Sequence, residues 1–140
     1  MGMDTGYLID PSLQRVSLIE LETPVVATIE RLIGDTYGID HAIISDVDDM
    51  IWVAGGSLLA QKPVYAFRLP TQRDPFAGKA IIIGGDDQHK PIIPIDVVKQ
   101  DIEWLGLIIP TVTVINEETE LFGRKAIRHR AVVTYERPKK

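Results

Sequence analysis

Two acidic clusters are the first residues in this chain whose types and spacing could do chemistry. Asp46, Asp48 and Asp49 crowd one short stretch, and carboxylates two positions apart in a tight loop can converge on a hard cation such as Mg²⁺ or Ca²⁺. A calcium loop starting at Asp46 would want glycine at its sixth position and glutamate at its twelfth. This chain has Ile51 and Ser57 there. The second cluster is Gly84-Gly85-Asp86-Asp87 with His89 and Lys90. Its glycines could offer backbone N–H groups to a phosphate, and Asp86, Asp87 and His89 could act as acid, base or metal ligands. Adjacent aspartates oppose an anion, however, and a Walker loop is absent: Ala80 follows Gly78-Lys79, and Arg73 stands where the first glycine would be. For both clusters a turn between strands is the preferred reading, because aspartate and glycine suit tight, solvated turns.

Other chemistries find less support. The chain has no cysteine, which removes thiol nucleophiles, disulfides and cysteine-bound zinc. His41, His89 and His129 lack the i, i+4 spacing of a helical metal motif, and none of Ser12, Ser17, Ser45 and Ser57 sits in a Gly-x-Ser-x-Gly elbow. No cofactor is implied. Tyr65 and Phe67, at i and i+2 of a strand leading to Arg68 and Arg73, could form a stacking platform for a base or ring if exposed; core packing is the preferred reading.

Charge separates along the chain. From Arg124 to Lys140 there are seven Lys or Arg against Glu136 alone, a net +6, which leaves −11 on residues 1–123. In an extended strand Arg128 and Arg130 project to one side with Arg124, a basic stripe suited to an anionic partner, while Ile127, His129, Ala131, Val133 and Tyr135 are expected to face the core. The acidic remainder opposes a polyanion, so nucleic acid is the least favoured partner and a protein surface or a second copy of this chain fits better; a solvated strand face with a frayed basic tail over residues 137–140 is the preferred reading.

The elements that must position these groups follow from periodicity. Two strands are expected around a turn at Asp10-Pro11-Ser12. Thr23 and Pro24 read as N-cap and first helical residue of a helix running to Ile33, with Val26, Ile29 and Ile33 buried and Gly34 as the stop. Short β-rich runs follow at 42–44, 50–53, 64–67 and 79–83, with no room for helical crossovers, so the sheet should be mainly antiparallel. A second helix is expected from Ile95, with Val98, Ile102 and Leu105 as its stripe and Gly106 as its end. From Leu107 strand character returns: a hairpin is expected, with an acidic turn at Glu117-Glu118-Thr119-Glu120 and a return arm over residues 125–136.

Between Tyr7 and about Leu105 the order of features resembles a small bacterial, phage and plasmid domain family of unassigned function. The residues that carry the likeness are Leu8-Ile9-Asp10-Pro11, Ile29-Glu30-Arg31-Leu32-Ile33-Gly34, the acidic turn before Ile51-Trp52-Val53, and Pro75-Phe76-Ala77-Gly78-Lys79 leading to Ile83-Gly84. The resemblance implies a mobile-element context and brings no catalytic residues.

At 140 residues with 45% hydrophobic and 25% charged side chains, the chain has the size and composition of one folded domain. The expectation is a single α+β domain over 1–140, with an antiparallel or mixed sheet, two helices on one face, and a C-terminal β-hairpin over 106–140 outside the family-like core of 7–105. No apolar stretch reaches membrane-spanning length and the N-terminus lacks signal-peptide character, so a cytoplasmic location is expected. Function reads as a small binding or interaction module that could form a homo-oligomer through a sheet edge or the hairpin. The alternative is a metal-dependent hydrolase or nucleotide-handling enzyme built on Asp46, Asp48, Asp86, Asp87 and His89.

Overall fold

The computed structural model describes residues 4–34, 38–44, 49–55, 62–70, 72–84 and 90–138. It corrects the expected fold class: the described residues are mostly β, with 58% of them in strands and 14% in helices, arranged as two antiparallel sheets and two short helices. The first sheet takes β1 (Asp4–Asp10), β2 (Arg15–Leu21), β3 (Ile39–Ile43), β4 (Met50–Ala54) and β7 (Ala80–Ile83) in the order β2-β1-β7-β4-β3. The second takes β5 (Val64–Arg68), β6 (Phe76–Ala77), β8 (Glu103–Leu121) and β9 (Arg124–Glu136) in the order β6-β5-β8-β9.

Strand β7 shows why two layers are needed. Its four residues are all buried, and alternation sends Ala80 and Ile82 to one face and Ile81 and Ile83 to the other. A central strand that is apolar on both faces must be covered on both. Helix α1 (Val25–Ile33) covers one face with Val25, Ile29 and Ile33 against Leu21, Ile81 and Ile83. Helix α2 (Ile95–Asp101) and the second sheet cover the other, where Val98, Phe67, Leu69 and Ile102 pack with Tyr7, Ile9, Ile51 and Ile82. The two helices therefore lie on opposite faces, not on one face as expected.

Local details also differ from the sequence reading. Helix α1 starts at Val25 because Pro24 is extended (ψ 136°) and stands at the N-cap, which shifts the buried stripe to Val25, Thr28, Ile29 and Ile33; Val26 is 50% exposed. Gly34 ends the helix through proximity, not a left-handed turn: its φ is −64°, and a Cβ there would fall 2.5 Å from the Glu30 carbonyl oxygen. Helix α2 stops at Asp101, so Leu105 belongs to β8. There it is the unpaired residue of a β-bulge, since Gly106 pairs with Ala66 and Trp104 with Phe67. Gly106, at φ +74°, supplies the left-handed conformation beside that bulge.

Candidate functional site

The strongest departure from a closed globule is the pair β8 and β9. Strand β8 runs for 19 residues, well beyond the usual length of a strand. Only its first part, to Ile108, pairs with β5; from Ile109 to Leu121 it pairs solely with β9, through 13 uninterrupted cross-strand partners. At about 3.4 Å per residue this two-stranded arm is about 40 Å long. Its root is well anchored. Arg68 donates from Nη2 to the Tyr135 hydroxyl at 3.0 Å and reaches Glu103 at 3.4 Å, Arg137 donates to the Leu105 carbonyl, and Tyr135 packs on the small core of Ala66, Leu105 and Ile108.

Beyond Pro110 no residue of either strand is buried. Val114, Ile127 and Leu121 are 64%, 65% and 59% exposed. Cross-strand register places Val112, Val133, Val114, Ala131, Asn116, His129, Glu118 and Ile127 on one face. This corrects the expectation that Ile127, His129, Ala131, Val133 and Tyr135 all face a core: only the root has one behind it, so Tyr135 packs there while Ile127, His129 and Ala131 are exposed. His129 Nδ1 instead lies 2.6 Å from Asn116 Oδ1 across the strands.

The basic stripe lies on the opposite face of the arm and is partly neutralised within it. Glu117 sits between two cations: Arg128 donates to one carboxylate oxygen at 2.9 Å, and Nε of Arg130 lies 3.0 Å from the other. Arg124 sits opposite Leu121 at the tip, exposed. The expected acidic turn is absent, because Glu117, Glu118 and Glu120 are strand residues paired with Arg128, Ile127 and Lys125. The chain reverses instead at Phe122 and Gly123, with φ of +54° and +74°. Positive φ at both central residues is the hairpin geometry that matches strand twist, and it favours Asn-Gly. Phenylalanine there is unfavourable to the backbone, yet its ring is 94% exposed.

The other sequence candidates separate. Asp46, Asp48, Asp86, Asp87 and His89 lie outside the described residues. Asp49, by contrast, is fully buried: its carboxylate accepts from the backbone N–H of Ile92 at 2.9 and 3.0 Å and of Ile93 at 2.8 Å, fastening the segment that leads into α2. Tyr7 donates its hydroxyl proton to the Ile93 carbonyl at 2.7 Å, and burial, helped by the charge of Asp49, raises its pKa. Tyr65 and Phe67 do not form a stacking platform. Ala66 and Phe67 are buried in different cores, Ala66 with Leu105 and Ile108 and Phe67 against Phe76 and Trp104, while Tyr65 stays exposed. His41 lies beside Trp52, ring centroids 4.6 Å apart, away from His129 in the arm. No three His, Asp or Glu side chains gather as a metal site among the described residues.

Sequence reasoning missed the arm tip, since Phe-Gly is not a usual hairpin dipeptide. The signal available was the unbroken β-pattern on both sides of it. Compared with known families, characterised proteins and solved structures, the chain matches none at a significant level. Among the described residues, no helix is long and apolar enough to cross a membrane.

Proposed function

We infer that this protein is a cytoplasmic, non-enzymatic interaction module that associates with a second copy of itself through the β8–β9 arm. The observation that carries this reading is Phe122: a bulky side chain held at positive φ, 94% exposed, at the tip of an arm with no core beneath it. Backbone strain of that kind is retained where a side chain has a use that stability does not explain. An isolated two-stranded hairpin is marginal in water, and no strand among the described residues pairs with the outer edge of β9, so contact with another chain would satisfy both. Charge favours a second copy as the occupant. The arm carries acids on β8 and, at the tip end of β9, Arg124 and Lys125, and residues 1–123 carry −11 against +6 on the remainder.

Sedimentation velocity on the wild type and Phe122→Asn tests this. Asparagine tolerates the left-handed turn, so the variant should fold at least as well. Losing a buried phenylalanine from each of two copies would weaken a dimer by about 3 to 6 kcal/mol, at least a hundredfold in dissociation constant. A wild type that stays monomeric at high concentration, or a Phe122→Asn variant that dimerises as well as the wild type, would overturn the reading.

A further inference from the structure

On the body, away from the arm tip, a cleft of about 280 Å³ opens between the start of β2, helix α2 and the start of β8. Gln14, Arg15, Val16, Lys99 and Trp104 line it. Arg15 and Lys99 are exposed, and no carboxylate among the described residues pairs with either. Asp10 is the cross-strand neighbour of Arg15, but its Oδ1 is engaged by the hydroxyl and N–H of Ser12, at 2.7 and 3.1 Å. Trp104 is half-buried, edge-on to Phe67 on its core side with centroids 6.3 Å apart. It is thereby held in place as a flat apolar wall.

Gln14 adds an independent observation. It closes the β1–β2 turn at φ +50°, a conformation that glycine or asparagine takes at less cost, and it lines the same cleft. We propose that this cleft binds a small anion carrying a planar ring, of the nucleoside monophosphate class, with Arg15 and Lys99 on the phosphate, Trp104 against the ring and Gln14 on a polar group of the ligand. Two cations in a cleft of an otherwise acidic body focus the field on an incoming anion. The volume lies at the small end of ligand sites, which suits a mononucleotide.

The experiment is isothermal titration calorimetry of the full chain with AMP, inorganic phosphate and adenosine. AMP should bind at least tenfold more tightly than either fragment, because only it engages the cations and the indole together. Arg15→Ala and Lys99→Ala, both at exposed positions, should each weaken AMP about tenfold. Gln14→Gly should keep or improve folding, since glycine is at ease at that φ, while weakening AMP severalfold. In a Trp52→Phe background, AMP should change the fluorescence of Trp104. Absence of AMP binding at millimolar concentration would overturn the proposal. So would equal binding of phosphate and AMP, or an AMP affinity indifferent to Arg15→Ala and Lys99→Ala.

Discussion

Replacing Asp49 by alanine isolates a buried polar staple whose worth can be worked from its contacts. The carboxylate is fully buried and receives two backbone donors, with Ile92 N–H shared between both oxygens at 2.9 and 3.0 Å and Ile93 N–H at 2.8 Å. Truncation leaves those two N–H groups without their acceptor, at about 1 to 3 kcal/mol each when water cannot replace it. The Ile92 side chain is 56% exposed, so water can reach part of this segment, and the expected total is about 2 to 4 kcal/mol. Asp49→Asn keeps one oxygen and should lose roughly half of that. Urea unfolding followed by circular dichroism measures the difference; with a slope of about 1 to 3 kcal/mol per molar, the midpoint should fall by about 1 to 2 M. Hydrogen exchange adds a local readout: the Ile92 and Ile93 amides should lose more protection than Ile82 in the central strand. An Asp49→Ala cost below about 1 kcal/mol, or uniform loss of protection, would refute the assignment of Asp49 as the anchor of this segment.

Tyr7→Phe removes the hydroxyl that donates to Ile93 and should cost about 1 kcal/mol at neutral pH. Because the folded-state pKa of Tyr7 is raised above 10.0, its neutral form is favoured by folding: the contribution is full below pH 10 and is lost as pH rises through the folded value. The wild type should therefore show an alkaline fall in stability that Tyr7→Phe lacks, and superimposable alkaline limbs would contradict this. Ile29→Ala, at a fully buried site of α1, should cost about 2 to 4 kcal/mol, whereas Val26→Ala, at a half-exposed one, should cost less than about 0.5 kcal/mol in thermal or urea unfolding. Similar costs for the two would mean that the helix is rotated from the face described.

Much of the local structure was legible in the sequence because it depends on nearest neighbours. Apolar, β-rich runs of strand length marked β1, β2, β4, β5 and β7, the 3.6-residue period marked α1, and Asp10-Pro11-Ser12 marked the first turn, where Asp10 does accept from Ser12. The same reasoning misplaced Leu105, since Val98, Ile102 and Leu105 fit a helical stripe, while Gly106 serves a bulge within β8 and not a helix end. It also read Glu117 to Glu120 as a turn because charged residues cluster in turns; cross-strand pairing of Glu117 with Arg128 and Arg130 keeps them in the strand, a contact between residues more than ten positions apart.

What the sequence alone determined is the set of things fixed by composition and short spacing: freedom from thiol chemistry, antiparallel strands joined by tight turns, and the separation of a basic C-terminal segment from an acidic remainder. Tertiary structure decided which faces met. Periodicity shows that Ile81 and Ile82 point to opposite sides, yet only the assembled layers show that α1 covers one side and α2 with the second sheet the other. It decided that Asp49 turns inward to two amides more than forty residues away, that Phe76 and Trp104 cover Phe67 while Tyr65 stays exposed, and that Arg15, Lys99 and Trp104 meet in one cleft. The apolar residues of β9 read as core in sequence because alternation reports only that a strand has two faces; whether anything packs behind one of them depends on how the other elements assemble, and among the described residues the core reaches only the root of the arm.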